Sequence, residues 1–256
     1  MEVLIIGCGA LGDRVRARLV KRGTAVIGLR RSRPEDGIVC GDACDQGVYT
    51  RLQREHGAPH VILLTANPGL RGGGDHHVDA MVGAACSTFS GAQWIYSGSS
   101  AVYADAGGRD VDENGALAHS ERAKRLIEIE AAVLTAGGTV LRAGALAGIR
   151  RAKASERHAR GVITVRGSLK RPLSWIHEDD LADLLIQGVD GALGAGVYNA
   201  CAREYPTVEA FHRRWSAELG LPMRFDCQPG SVPERRVVSA RLAREGLEPQ
   251  WRDWAS

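Results

Sequence analysis

Short runs of apolar residues alternate along this chain with segments whose apolar positions recur at helical spacing. The first run covers residues 2–6, and Leu11, Val15 and Leu19 follow at intervals of four, which predicts a strand, a tight turn and a helix. Gly23 lies where a glycine commonly ends a helix. The same pattern predicts strands at 25–29, 37–40, 60–64, 93–97 and 138–142, with a helix over 118–136.

The predicted strands are almost continuously apolar and are separated by helical segments. Such strands are typical of a parallel sheet that is covered on both faces, so we expect an α/β fold with a Rossmann-type doubly wound sheet. Beyond it the pattern predicts strands at 162–165 and 196–200 and helices at 176–185 and 207–219, the last with Thr207 as its N-cap. We expect residues 1–160 to form the core and residues 161–256 to complete the sheet and form a small C-terminal substrate lobe.

Charge and hydropathy exclude several classes of protein. The 33 basic and 30 acidic residues are interspersed and leave a net charge of +3, which gives no case for a nucleic-acid or anionic-membrane partner. The chain has no apolar run of about 18 residues and no basic, cleavable leader at its start. We therefore expect a cytoplasmic protein.

Metal binding is not expected from the sequence. The six cysteines form no CxxC pair, and in a reducing compartment they are expected to be free thiols. The segment Gly72-Gly73-Gly74-Asp75-His76-His77 resembles a metal patch, but an exposed glycine-rich loop explains it as well.

The first turn has the pattern GxGxxG, as Gly7-Cys8-Gly9-Ala10-Leu11-Gly12. It directly follows a predicted strand and enters a helix, which is the context of a dinucleotide-binding loop. In such a loop Gly7 allows the tight turn, Gly9 allows the pyrophosphate to approach the backbone, and Gly12 allows close packing of helix on strand. The predicted cofactor-binding set also includes Ala10 and Leu11. The alternative is a glycine-rich turn that binds nothing.

The end of the second strand indicates which dinucleotide is bound. Where an NAD site usually has an acidic residue, this chain has Arg30, Arg31 and Ser32, which suit a 2′-phosphate. We therefore predict NADP(H), with a solvated run of arginines as the alternative. Asp42 follows the third strand and is expected to reach the adenine, although a turn aspartate is nearly as well supported.

Several segments together resemble the extended short-chain dehydrogenase/reductase superfamily, the NAD(P)-dependent epimerase/dehydratase group. The resemblance runs from Met1 to about Leu242 and implies an enzyme with a small-molecule substrate. Its segments are GCGALG at 7–12, GDACD at 41–45, WIYSGSSAVY at 94–103, LRAG at 141–144, WIHEDDLA at 175–182 and RRVVSARL at 235–242.

The resemblance implies a catalytic serine at Ser99, although Ser99 and Ser100 could also cap a turn. The family's proton-transferring tyrosine and the lysine four residues later fall on Ser120 and Lys124, so the tyrosine is missing. This assignment aligns the family pattern on Glu128. If the pattern is aligned on Glu130 instead, the tyrosine and lysine positions become Arg122 and Leu126, and the tyrosine is again missing.

Other groups are candidates for the missing proton donor. We name His119 and Tyr103 as candidates, and Tyr96 as a further one, with an ordinary surface histidine as the favoured alternative for His119. Lys124 is a candidate ribose contact or an ordinary exposed lysine.

Further residues near the expected mouth of the site have less specific roles. Arg142, Arg150 and Arg151 either bind a substrate anion or are solvated, and by resemblance His177 packs the lobe onto the core. The helix over 118–136 offers a face for a homodimer.

The sequence thus predicts an NADP(H)-dependent oxidoreductase, a reductase of a C=O or C=N bond in a small metabolite. One alternative is a non-catalytic NADP(H)-binding sensor or regulatory protein. Another is an NAD-dependent sugar-nucleotide epimerase/dehydratase.

Overall fold

A seven-stranded sheet forms the centre of the fold. The computed structural model describes residues 1–66, 78–147, 161–247 and 249–252. In spatial order the strands are β11 (Gly196–Ala200), β7 (Thr139–Ala143), β5 (Gln93–Ser99), β4 (Val61–Leu64), β1 (Val3–Ile6), β2 (Val26–Arg30) and β3 (Ile38–Cys40). From β5 to β3 the neighbouring strands pair in parallel, with Val3 of β1 opposite both Val26 of β2 and Val61 of β4.

The strands are buried as the apolar runs predict. All four residues of β1 and of β4 are buried, which confirms a sheet covered on both faces. The helices of the described ranges are α1 (Ala10–Lys21), α2 (Gln46–His56), α3 (Val78–Thr88), α4 (Glu121–Thr135), α5 (Glu178–Val189), α6 (Val208–Leu219) and α7 (Ala240–Glu245).

One core cluster joins the sheet to helices α2, α3 and α4. Leu4, Ile62 and Trp94 from the strands are at most 1% exposed, and Tyr49 of α2 packs edge-on against Phe89 with ring centroids 6.1 Å apart. Burying such side chains contributes about 1.5–3 kcal/mol each. This cluster anchors the strands whose carboxyl ends carry the predicted site.

The chain divides into two compact units that are interleaved in sequence. Unit 1 comprises Met1–Val102, Ser120–Arg142 and Ala182–Tyr198, and unit 2 comprises Tyr103–His119, Ala143–Leu181 and Asn199–Ser256. The structure therefore divides the chain differently from the expected boundary at residue 160. The reason is that residues 182–198 return to unit 1, where the Thr139 hydroxyl donates to the Gly194 carbonyl (2.9 Å).

Unit 2 contains short parallel strand pairs and its own aromatic core. Trp175, Phe211 and Trp215 are each at most 2% exposed and pack together. The pairs are β8 (Ala145–Leu146) with β10 (Trp175–Ile176), β9 (Val162–Arg166) with β12 (Arg224–Gln228), and β6 (Asp110–Val111) with β13 (Arg236–Val237).

Helix boundaries agree with the capping signals in two cases and differ in one. Thr207 is the N-cap of α6, its hydroxyl accepting from Ala210 N–H (3.0 Å), and Gly23 adopts φ +88° just after α1. The helix predicted at 176–185 begins two residues later than expected. Ile176 pairs in a strand instead, and α5 begins at Glu178.

In the described ranges no helix is long and apolar enough to cross a membrane. The six cysteines are free thiols, as predicted.

Candidate functional site

The carboxyl ends of the parallel strands bring most of the predicted cofactor residues to one edge of the sheet. The glycine loop follows β1, the arginine run follows β2, Asp42 follows β3, and Ser99 ends β5. Ligands of open α/β sheets bind at this edge. All of these residues belong to unit 1.

Gly7 occupies a conformation that only glycine adopts easily. Its φ is +97°, and a Cβ at this position would lie 2.3 Å from the backbone nitrogen of Ala66. The Gly7 N–H donates to the Leu29 carbonyl (2.9 Å). The chain therefore turns sharply between β1 and α1 because position 7 has no side chain.

The other two glycines of the motif differ in their surroundings. A Cβ on Gly12 would lie 2.8 Å from the Gly7 carbonyl oxygen and 2.9 Å from Thr65 Oγ1, so Gly12 allows α1 to pack closely on the loop. A Cβ on Gly9 would meet only the Gly7 carbonyl oxygen, at 4.0 Å. Gly9 thus leaves open the space over the start of α1.

The N-terminus of α1 has no side-chain cap. Gly9 is its N-cap and provides no side-chain cap, so the first-turn amides at Ala10, Leu11 and Gly12 are not capped by it. Free amides and the helix dipole together favour a negative group at such a terminus. Ala10 is exposed and Leu11 is buried, which suits a backbone contact at both positions.

Cys8 inside the loop has a packing role. Its side chain is 3% exposed, and a Cβ on Gly28 of β2 would lie 2.4 Å from its Sγ. Burial raises the pKa of the Cys8 thiol to about 12. The thiol is therefore neutral and acts as a small apolar group between β1 and β2.

The arginines at the end of β2 divide into two kinds. Arg30 is held within the chain: its Nη2 lies 2.6 Å from a Glu35 oxygen, its Nη1 3.4 Å from Asp13 Oδ2, and its Nε donates to the Arg33 carbonyl (2.8 Å). Arg31 and Ser32 are exposed. The predicted 2′-phosphate ligands are therefore not equally available, since Arg30 already has two carboxylates as partners.

Asp42 has the turn geometry that was the alternative to an adenine contact. Its Oδ1 accepts from Cys44 N–H (2.9 Å) and its carbonyl from Asp45 N–H (3.1 Å). The carboxylate is exposed just beyond β3. The turn role is observed, and the adenine contact stays a prediction.

Ser99 ends β5 and caps the short 3₁₀ turn that follows, residues 100–102. The Ala101 N–H donates to Ser99 Oγ (3.2 Å), so the hydroxyl oxygen accepts from the backbone while its proton can be donated elsewhere. The side chain is half-buried. This is the turn-capping geometry considered above, and it is compatible with a hydrogen bond from Ser99 to a substrate.

Tyr103 and His119 lie in unit 2 in contrasting environments. Tyr103 is fully buried, and its hydroxyl donates to Asn199 Oδ1 at 2.7 Å. His119 is exposed. The hydrogen bond gives Tyr103 a structural role, whereas the proposed proton transfer by either residue stays a prediction.

Ser120, which in one register of the resemblance occupies the position of the family's tyrosine, lies at a helix boundary. Ser120 is the N-cap of α4, its hydroxyl accepting from Ala123 N–H (3.3 Å). Lys124 is 54% exposed, and its Nζ lies 2.8 Å from Glu121 Oε1. That carboxylate raises the pKa of Lys124, so the lysine remains a cation at the helix surface.

A buried ion pair in unit 1 corrects the expectation for Arg142. Its guanidinium is 7% exposed, and its Nη2 and Nε donate to Glu130 Oε2 at 2.8 and 3.1 Å. Burial raises the pKa of Glu130 and Arg142 opposes that rise. Arg142 is thus committed to Glu130. The signal for this pair was a charged residue inside an apolar strand and an acid on the apolar face of α4, beside Leu126 and Val133.

Arg150, Arg151 and the segment 72–77 lie outside the described residues. His177 is 6% exposed in unit 2, where its Nδ1 accepts from Asp179 N–H (3.1 Å). Within the described ranges no three His, Cys, Asp or Glu side chains are grouped to hold a metal ion.

Solved structures share this fold across nearly the whole chain. A UDP-glucose 4-epimerase from Thermus thermophilus, in complex with NAD, is 16% identical with a TM-score of 0.84, covering 100% of this chain and 96% of that one. The human epimerase family protein SDR39U1 with NADPH is 20% identical with a TM-score of 0.77, covering 100% and 97%. A dTDP-glucose 4,6-dehydratase from Bacillus anthracis, in complex with NAD, is 14% identical with a TM-score of 0.80, covering 98% and 92%.

No family profile matches the chain, and no curated protein matches its sequence significantly. At identities of 14 to 20% the structural likeness establishes the fold. The chain therefore has the fold of the NAD(P)-dependent epimerase/dehydratase structures, as its sequence segments indicated.

Proposed function

We propose that this protein binds NADP(H) at the carboxyl edge of its sheet and acts as an oxidoreductase, a reductase of a C=O or C=N bond in a small metabolite. The observation that carries the proposal is the glycine loop. Position 7 turns where only glycine fits, and Gly9 leaves the uncapped start of α1 open. This arrangement suits the pyrophosphate of a dinucleotide.

The preference for NADP(H) rests on charge at the end of β2. Arg31 and Ser32 are exposed there, and no acidic residue occupies the strand end. A guanidinium binds a phosphate through paired, charge-assisted hydrogen bonds. Among the similar structures SDR39U1 holds NADPH and the Thermus epimerase holds NAD, so the preference depends on this chain's own arginines.

Replacing Arg31 by glutamine tests that preference. We expect NADPH affinity to fall about tenfold, because a hydrogen-bonded guanidinium–phosphate contact is lost, while NADH affinity stays constant. Isothermal titration of both cofactors measures the two values. Arg54→Gln removes the same charge from an exposed position on α2 and serves as the control. Equal losses for NADPH and NADH would contradict a 2′-phosphate contact at Arg31.

The reductase chemistry is assigned to Ser99. A bound nicotinamide supplies the hydride. The Ser99 oxygen accepts from Ala101 N–H, so the hydroxyl can donate a hydrogen bond to the oxygen or nitrogen of the substrate while it keeps its proton. For a ketone, the proton that completes the alcohol is taken from water. Such a donor stabilises the charge that develops as hydride arrives. An iminium nitrogen arrives already protonated and needs no further proton, which suits a site without the tyrosine.

Replacing Ser99 by alanine distinguishes an enzyme from a binding protein. With cyclic imines and aliphatic ketones as substrates and NADPH oxidation as the readout, we expect kcat to fall about tenfold or more, with NADPH affinity nearly unchanged. Ser99→Thr keeps the hydroxyl and should retain most of the activity. An unchanged kcat in Ser99→Ala would remove Ser99 from the chemistry.

A second candidate is a non-catalytic NADP(H)-binding protein, a sensor or regulatory partner. It is favoured by the observation that Lys124 is paired with Glu121, because that carboxylate raises the pKa of the lysine and makes it a poorer proton donor. This candidate predicts tight NADPH binding with no turnover of ketones or imines.

A sugar-nucleotide epimerase or dehydratase with NAD is the third candidate, supported by the fold of the similar structures. It predicts a purified protein that retains NAD and converts a nucleotide sugar without net NADPH consumption. The exposed Arg31 and the missing tyrosine both favour the reductase over this candidate.

A further inference from the structure

The segment between β2 and β3, residues 31–37, is tied down by the arginine that was expected to bind the cofactor phosphate. Arg30 Nη2 lies 2.6 Å from a Glu35 oxygen, and Arg30 Nε donates to the Arg33 carbonyl. Arg33 takes a positive φ of +64°, which turns its carbonyl toward that donor. One guanidinium therefore closes this segment onto the end of β2.

Further contacts hold the same segment against α1. Arg16 Nη1 donates to the Asp36 carbonyl (3.3 Å), and Asp13 in the first turn of α1 lies 3.4 Å from Arg30. The Ile38 N–H donates back to the Glu35 carbonyl (2.9 Å). Glu35 is thus placed by backbone contacts as well as by its carboxylate.

The two members of the ion pair differ in exposure. The Arg30 side chain is 16% exposed and that of Glu35 is 57% exposed. The arginine is accordingly the anchored member, and the glutamate is the member that can move into water at small cost. A phosphate offers the same guanidinium charged oxygen acceptors as a carboxylate does, with more charge.

We propose that Glu35 is a specificity-determining residue whose carboxylate holds the place of the cofactor 2′-phosphate on Arg30 and competes with it. This rests on the proposed function, that the site binds NADP(H). When NADPH binds, the 2′-phosphate displaces Glu35 from Arg30, and Arg31 completes the phosphate contact. NADH has no 2′-phosphate, so Arg30 stays paired with Glu35 when NADH is bound.

Glu35→Gln and Asp36→Asn form a matched pair for the test. Each removes one negative charge from the same segment, but only Glu35 contacts Arg30 through its side chain, since Asp36 takes part through its carbonyl. Any general effect of charge on an anionic cofactor appears in both variants. The difference between them isolates the Arg30–Glu35 contact.

We measure the dissociation constants of NADPH, NADH, 2′,5′-ADP and 5′-AMP by titration calorimetry for the wild type and both variants. We expect Glu35→Gln to bind NADPH and 2′,5′-ADP about fivefold more tightly than Asp36→Asn does. This ratio of dissociation constants corresponds to the free energy of one exposed ion pair. NADH and 5′-AMP should bind equally to the two variants.

Three results would overturn the proposal. The two variants could gain NADPH affinity equally, Glu35→Gln could gain affinity for NADH and 5′-AMP as well, or Glu35→Gln could bind NADPH more weakly. A wild type that binds neither NADPH nor NADH overturns the proposed function itself, and this proposal with it, so the two failures are distinguishable.

Discussion

Alanine at position 7 is expected to destabilise the fold and abolish dinucleotide binding. Its Cβ would lie 2.3 Å from the Ala66 nitrogen and 2.4 Å from the Ala66 Cα, on a residue with φ +97°. Both the overlap and the left-handed backbone act against alanine, and we expect a loss of about 2–4 kcal/mol in the free energy of unfolding. Urea unfolding and NADPH titration measure the two effects.

Alanine at position 9 is the matched control. Gly9 has φ −105° and a Cβ there would meet nothing closer than 4.0 Å, so we expect stability to change by less than about 1 kcal/mol. NADPH affinity should nevertheless fall, because the methyl group would occupy the space through which the pyrophosphate approaches α1. Full NADPH affinity in Gly9→Ala would show that the phosphates do not approach the backbone there.

Removing Arg142 is expected to cost about 3–5 kcal/mol of stability, because the carboxylate of Glu130 would stay buried without a partner. Glu130 is 2% exposed, and Arg142 is the group that opposes the effect of burial on its pKa. Arg142→Met fills similar volume without charge. Urea unfolding of this variant, compared with the wild type, measures the loss.

The double variant Glu130→Leu/Arg142→Met is the control, since it removes both charges. It should be more stable than Arg142→Met alone. A double variant that loses as much as the sum of the two single variants would contradict a direct coupling.

The pH dependence of Arg142→Met provides a second readout. In this variant burial acts alone on Glu130, so its pKa in the folded state lies above the unfolded value of 4.5. The folded state then holds the proton longer than the unfolded state does. Stability should be greatest below that unfolded value and fall as pH rises through the folded pKa, whereas the double variant should lack this slope.

Several features of the glycine loop and of the helix ends could be predicted from local signals. The Gly7 turn, the close packing at Gly12 and the Thr207 cap of α6 depend on a few neighbouring residues, and each has the predicted geometry. The apolar runs place β1 and β4 correctly, because a parallel strand buried on both faces must be apolar throughout.

Contacts between distant segments could not be predicted in the same way. The commitment of Arg30 to Glu35, of Arg142 to Glu130 and of the Tyr103 hydroxyl to Asn199 depends on which segments the fold brings together. The spacing of residues along the sequence does not determine these pairings. In the sequence, a charged residue that binds a ligand cannot be distinguished from one that pairs with a buried side chain.

By itself, the sequence determined the class of fold and the glycine loop, because both depend on residue identity at fixed local spacing. Only the tertiary structure decided which side chains remain available for chemistry. The Ser99 oxygen accepts from a backbone amide and Arg31 stays exposed, whereas Arg142 is buried in an ion pair with Glu130 and Arg30 is paired with the exposed Glu35. Buried polar groups are hydrogen-bonded within the fold, so the candidate site consists of groups at the sheet edge that are exposed or have exposed partners.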